Sequence, residues 1–186
     1  MRGLHWPGDG DTVLLVHDLG ADLDCWADLP CALQTDGYRV VAIDLPGHGL
    51  SDDWTTAPNT ADFLSALTTD LVARWPGRIF AVGVGGIVPL LDRTGAAAIV
   101  ALGPQPALED GAVGSHAPTL ILVGGSDPEA AAAANRYFRN RRGWAVSSSF
   151  GNAQNGAGLL SGPWSGHVIE QIVAFLRDYR TQVKEP

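Results

Sequence analysis

The stretch Ile79–Leu91, IFAVGVGGIVPLL, predicts a buried β-strand, a tight glycine turn and the start of an α-helix. Its first residues are apolar and do not alternate with polar ones, which is typical of a strand buried on both faces of a parallel sheet. The glycines that follow permit backbone conformations that other residues avoid. In many enzymes such a unit carries a nucleophilic serine, yet this stretch contains no serine, cysteine or aspartate.

Similar apolar runs recur along the chain and alternate with amphipathic segments, which predicts a doubly wound, mostly parallel sheet with helices on both faces. No linker or repeat divides the sequence, so we expect one α/β domain over residues 1–186. The predicted strands are Thr12–Asp18, Arg39–Leu45, Arg78–Gly83, Ala97–Leu102 and Pro118–Gly125. The predicted helices are Cys25–Gly37, Thr60–Trp75 with Thr60 as its cap, Pro128–Asn140 and Val168–Val183.

Composition excludes several classes of partner. The net charge of -8 and pI of about 4.9 argue against nucleic acid and anionic membrane surfaces. No apolar run has the length of a signal core or a membrane span, so the default expectation is a cytoplasmic protein. Cys25 and Cys31 are too few for a disulfide framework or a zinc site, and we interpret them as apolar fillers of one helix. We expect no metal and no cofactor.

Two motifs carry a resemblance to a known family. The segments Leu14–Trp26, LLVHDLGADLDCW, and Val40–Asp52, VVAIDLPGHGLSD, resemble the α/β-hydrolase superfamily in sequence and in order. The resemblance implies a minimal member without a cap domain, because only Pro104–Ala117 separates two strands between which relatives often insert one. It also implies a Ser-His-Asp triad, with serine at the centre of a G-x-S-x-G turn.

The nucleophile position falls on a glycine in either possible register of the turn. We favour Gly83, with Gly85 and Gly86 as the closing glycines. The alternative register places the nucleophile at Gly85, but it puts Ile87 where close packing demands a small residue. A glycine supplies no nucleophile in either case.

The resemblance implies an acid, and then a histidine, later in the chain. Asp127 follows a strand at the family's acid position, and it also suits a helix cap beside Pro128. Asn155, in NGAGLLSGP, matches the histidine loop of the family, and its spacing from Asp127 is the usual one. His167 is the less favoured base, because it falls in the first turn of the final helix. Asparagine cannot accept and return a proton near neutral pH, so the triad looks incomplete.

Parts of the pocket are expected to remain. The resemblance implies an oxyanion hole formed by the backbone N–H of Val84 and by that of Leu19 or Asp18. Asp18 replaces the usual glycine, and its charge would discourage an anion if it points inward. His17 is expected to shape a loop, although it remains a candidate acid–base group.

The favoured hypothesis is a hydrolase-fold protein without serine-hydrolase activity that binds a small molecule or serves as a partner subunit. One alternative is an ester or acyl hydrolase with an atypical catalytic group. Another is a cofactor-free lyase or isomerase that uses Asp127, Asp18 or His17 in the same pocket. A homo-oligomer is compatible with each of them.

Overall fold

A single seven-stranded sheet runs through the computed structural model, which describes residues 2–53, 59–105 and 116–181. The strands lie in the order β1-β3-β2-β4-β5-β6-β7; β1 pairs antiparallel with β3, and all other pairs are parallel. Their bounds are β1 Gly3–Trp6, β2 Thr12–Val16, β3 Arg39–Ile43, β4 Ile79–Val84, β5 Ala98–Leu102, β6 Thr119–Gly124 and β7 Ala145–Phe150. The predicted α/β architecture is therefore confirmed.

Helices cover both faces of the sheet. They are α1 Leu29–Thr35, α2 Thr60–Arg74, α3 Val88–Leu91, α4 Pro128–Arg139 and α5 Ser165–Thr181. Apolar side chains of α1 and α5 pack on one face, with Leu33 and Ile172 fully buried there. Helices α2, α3 and α4 pack on the other face. Because both faces are covered, every residue of β2 and β4 is buried, which explains their uninterrupted apolar sequence.

Three local predictions differ from the structure. The predicted helix Cys25–Gly37 is broken, because Ala27 has a φ of 45° between a 3₁₀ turn at Leu23–Trp26 and helix α1. Cys25 and Cys31 therefore lie on separate elements. The cap of α2 is Asn59 and not Thr60, since the Asn59 side chain accepts a hydrogen bond from the Asp62 N–H.

The two edge strands were not among the strands predicted from sequence. β1 has four mostly exposed residues, and β7 has the polar sequence AVSSSF, so neither shows the apolar run that identifies a central strand. Within the described residues, no helix is both long and apolar enough to cross a membrane.

Candidate functional site

A cavity of 350 Å³ lies at the carboxyl ends of the central strands. Loops that follow β2, β4, β5, β6 and β7 meet there, as expected for an open parallel sheet. The described residues that line it are Asp18, Leu19, Gly20, Ala21, Cys25, Val84, Gly85, Gly103, Gln105, Asp127, Asn155, Gly156, Ala157 and Gly158.

The turn after β4 places Gly85, and not Gly83, at the cavity. Gly85 has a φ of 61°, a conformation that favours glycine, whereas Gly83 lies within β4 opposite Val16 and Ala101. A Cβ on Gly83 would point into the core, 2.6 Å from Leu91 Cδ1. The register that we favoured from the sequence therefore does not match the backbone, and Gly85 is the residue at the tip of the turn.

A register centred on Gly85 puts Ile87 where close packing demands a small residue. In the structure Ile87 is fully buried and belongs to the apolar cluster between the sheet and helices α2 and α3. A large apolar residue is thus compatible with Gly85 at the tip.

The carboxylate of Asp18 fills the space in front of Gly85. Its Oδ1 accepts hydrogen bonds from the backbone N–H groups of Leu19 and Gly86, both at 2.9 Å. A Cβ on Gly85 would overlap Asp18 Oδ2 and would lie 2.8 Å from Oδ1. Asp18 can therefore occupy this position only because residue 85 has no side chain. The N–H that meets Asp18 across the cavity belongs to Gly86, whereas Val84, the expected donor, ends β4 and lines the wall.

His17 holds the backbone of this loop. Its ring is fully buried; Nε2 accepts a hydrogen bond from the Leu45 N–H at 3.0 Å, so Nδ1 carries the proton and donates to the Asp18 carbonyl at 2.7 Å. Burial lowers the pKa of His17, which favours this neutral form. Both ring nitrogens are used in the loop, and His17 does not line the cavity.

The segment Asp44–Asp52, DLPGHGLSD, holds the loop after β2 in place through hydrogen bonds. Asp44 is completely buried and accepts hydrogen bonds from the N–H groups of Leu23 and Leu50. Gly49, with a φ of 53°, leaves room for this carboxylate, because a Cβ there would overlap it. The Ser51 hydroxyl donates a hydrogen bond to the Asp44 carbonyl at 2.9 Å, so this side chain has a structural role. The motif thus fixes the loops that surround the cavity.

Asp127 and Asn155 both reach the cavity. Asp127 is exposed and caps α4, since its Oδ1 accepts hydrogen bonds from Glu129 N–H at 2.9 Å and from Ala130 N–H at 3.2 Å. Asn155 Oδ1 accepts a hydrogen bond from Gly124 N–H at 3.1 Å. The residues expected at the acid and histidine positions therefore line the same cavity as Asp18.

His167 lies elsewhere. It is in the first turn of α5, as predicted, with a side chain that is 69% exposed and 3.5 Å from Glu170 Oε2. It does not line the cavity, so the structure does not bring it together with Asp127.

Comparison with known proteins agrees with this architecture. A family model described as "alpha/beta hydrolase fold" matches residues 11–78. The dihydrolipoyllysine-residue acetyltransferase component of the acetoin cleaving system of Cupriavidus necator is 43% identical over 68 residues, which are 37% of this chain. The match spans only 17% of that curated relative's length.

Solved structures match over almost the whole chain. A protein from Thermoplasma acidophilum, described as a predicted CIB-like hydrolase, gives a TM-score of 0.77 at 19% identity and covers 95% of this chain and 93% of its own. An alpha-beta serine hydrolase homologue from Coxiella burnetii gives 0.76 at 14% identity, with 94% and 90% covered. A monoacylglycerol lipase from Paleococcus ferrophilus gives 0.71 at 17% identity, with 96% and 100% covered.

This chain has the α/β-hydrolase fold. The strand order, the sharp turn after β4 and the cavity at the strand ends supply the structural basis for that statement. At these levels of identity the solved structures establish the fold alone.

Several cavity residues of this α/β-hydrolase fold were not singled out as functional from the sequence. Gly86 donates to Asp18, and the Gln105 N–H donates to the Gly85 carbonyl at 3.1 Å, which ties the turn to the loop after β5. The position of Gln105 after a strand was a usable signal, whereas the role of Gly86 depends on a distant side chain.

Cys25 also lines the cavity, and burial, followed by the charge of Asp22, raises the pKa of its thiol to about 12. Its thiol is therefore protonated and a poor nucleophile.

Proposed function

We propose that this protein is a non-hydrolytic member of the α/β-hydrolase fold whose cavity binds a small neutral or cationic molecule. The observation that supports the proposal is the position of Asp18. Its carboxylate accepts hydrogen bonds from the backbone N–H groups of Leu19 and Gly86. It also occupies the space that the Cβ of a nucleophilic residue at position 85 would need.

Serine acyl transfer needs a nucleophile, a base and vacant donors for the oxyanion. Gly85 supplies no side chain, and Asn155 cannot act as the base. The donors that would stabilise an oxyanion, the N–H groups of Leu19 and Gly86, are already bound to Asp18 Oδ1. Each of these three features opposes acyl transfer, and the third agrees with the expectation that an inward-pointing Asp18 would discourage an anion.

The charge of the cavity walls indicates which charge a ligand should carry. Its described walls include the carboxylates of Asp18 and Asp127 and contain no lysine, arginine or histidine. An anionic ligand would meet two like charges without a compensating cation, and such an arrangement is unfavourable in a partly enclosed site. A neutral molecule with hydrogen-bond donors, or a cation, suits these walls better.

The test compares the wild type with a triple variant that restores the missing groups, Asp18→Gly, Gly85→Ser and Asn155→His. The Asp18 change is necessary because a side chain on residue 85 would overlap the carboxylate. We expect no labelling of the wild type by a fluorophosphonate and no hydrolysis of p-nitrophenyl acetate above the buffer rate. The triple variant should be labelled on the serine introduced at position 85.

The matched control carries Gly83→Ser in place of Gly85→Ser. Because residue 83 points towards Leu91 in the core, this control should fold less well and remain unlabelled. Wild-type ester hydrolysis that disappears in Asp18→Asn or Asp127→Asn would contradict the proposal. It would favour instead an acid–base enzyme.

That second candidate rests on the same carboxylate. Asp18 Oδ1 accepts hydrogen bonds from two N–H groups, and Oδ2 lies beside Gly85 in the lining of the cavity, where a general base could meet a bound substrate. A cofactor-free lyase or isomerase would use it in this way. Turnover of a candidate substrate by the wild type, with loss in Asp18→Asn and retention in Asn155→Ala, would favour this hypothesis.

A further inference from the structure

Strand β7 forms one edge of the sheet, and its backbone shows which residues face outward. The Trp144 carbonyl accepts a hydrogen bond from Thr119 N–H at 2.9 Å, and the Phe150 carbonyl accepts one from Gly125 N–H at 2.7 Å. In a parallel ladder, alternate residues of a strand bond to the same neighbour. The backbone groups of Ala145, Ser147 and Ser149 therefore point away from β6, and among the described residues no strand pairs with them.

The described residues of this edge carry little protection against pairing. Its sequence, AVSSSF, contains no charged residue and no proline, the two commonest devices that keep edge strands apart. Large apolar side chains are exposed along it: Trp144 is 57% exposed, Val146 37% and Trp164 38%. The opposite edge, β1, has only four residues.

We propose that β7 pairs antiparallel with β7 of a second copy of this chain across a twofold axis at Ser147. Outward-facing residues must oppose one another in such a pair, which places Ser147 opposite Ser147 of the second copy and Ala145 opposite Ser149. Each of these pairs exchanges two backbone hydrogen bonds. The two sheets then join into one continuous sheet, and the exposed edge is removed.

The side chains of this edge complement themselves about that axis. Trp144 lies at one end of β7, and Trp164 packs on Phe150 at the other end, with ring centroids 5.9 Å apart. Antiparallel pairing brings Trp144 of each copy beside Phe150 and Trp164 of the other. Offset or edge-to-face contacts between aromatic rings are favourable beyond the area they bury.

The charges of α4 also favour a second copy as the occupant. Asp127 and Glu129 lie at the start of this helix, whereas Arg136 and Arg139 lie in its last turns. A twofold axis at the edge sets α4 antiparallel to α4 of the other copy on the same face. The basic end of each helix is then nearest the acidic end of the other. The antiparallel arrangement of the two helix dipoles is favourable as well.

The decisive measurement is the mass in solution, by size exclusion with light scattering at about 100 µM, a concentration that detects a micromolar dimer. We expect the wild type at twice the 19.5 kDa mass of one chain. Ser147→Pro should give a folded monomer, because the N–H that proline lacks does not bond to β6. Ser147→Lys, which sets two like charges on the axis, should also give a monomer. Leu4→Lys, on the opposite edge β1, is the matched control and should remain a dimer.

Disulfide cross-linking tests the register. In a Cys31→Ser background, Ser147→Cys should cross-link, because directly opposed residues of a bonded pair lie about 5.5 Å apart between Cα atoms, within disulfide range. Ser149→Cys should not cross-link, because the two copies of residue 149 would be about 13 Å apart. A monomeric wild type, a dimer that survives both Ser147 variants, or equal cross-linking at the two positions would overturn the proposal. None of these results depends on the cavity or its chemistry.

Discussion

The contact between Asp18 and Gly85 predicts a strong energetic coupling between two positions that are far apart in the sequence. Gly85→Ala places a methyl group where Asp18 Oδ2 lies. The carboxylate must then leave its position and lose its hydrogen bonds to the N–H groups of Leu19 and Gly86. In Asp18→Ala the space is empty, so the same methyl group should fit.

The expected magnitude follows from these two effects. A hydrogen bond to a charged group contributes about 1.5–3 kcal/mol, and because Asp18 is half-buried we take the lower value for each of its two bonds. A side chain at the positive φ of Gly85 adds about 1 kcal/mol. We therefore expect Gly85→Ala to lower the free energy of unfolding by about 4 kcal/mol in the wild type and by about 1 kcal/mol in Asp18→Ala.

A double-mutant cycle by urea denaturation measures this coupling, which should be about 3 kcal/mol. Gly83→Ala is the control: its methyl group would meet Leu91 and overpack the core, at about 1–3 kcal/mol, equally with or without Asp18. If the effects of Gly85→Ala and Asp18→Ala add to within about 0.5 kcal/mol, the carboxylate does not occupy the space in front of residue 85.

Two further predictions concern titratable groups. Because the folded protein lowers the pKa of His17, the unfolded chain binds this proton first, so the free energy of unfolding should fall as the pH drops below about 6.5. His17→Asn should lose less stability than the wild type between pH 7.5 and pH 5.5 in urea denaturation, and an equal loss would contradict the assignment. Iodoacetamide at pH 8 should modify the exposed Cys31 and leave Cys25 intact, because burial raises the pKa of Cys25 to about 12. Peptide mass spectrometry distinguishes the two cysteines. Faster alkylation of Cys25 than of Cys31 would contradict the prediction that the Cys25 thiol is protonated.

Sequence alone predicted the architecture well because the central strands are buried on both faces. Uninterrupted apolar runs such as Thr12–Val16 and Ile79–Val84 report that environment directly. The edge strands were missed because a half-exposed strand such as β7 carries serine where a central strand carries valine or isoleucine. The break at Ala27 was missed because its positive φ has no signal in the residue type.

The candidate site was predicted in part. Asp18, Leu19 and Asp127 lie at or just after the ends of predicted strands, and they line one cavity because parallel strands end at one edge of the sheet. Asn155, which was selected by resemblance to the family's histidine loop, lines the same cavity. Counting back from the final helix correctly separated His167 from them. Whether these residues bind or catalyse stays a prediction that the variants above test.

The amino-acid sequence alone establishes that no side-chain nucleophile stands at the turn, since GVGG offers only glycine in either register. It could not determine which glycine forms the tip, because every glycine tolerates a positive φ equally well. That choice was made by contacts from other elements: Leu91 excludes a side chain at Gly83, and the carboxylate of Asp18 fills the space at Gly85. The hydrogen bond that closes this arrangement joins residues 68 positions apart, and only the parallel pairing of β2 with β4 brings them together.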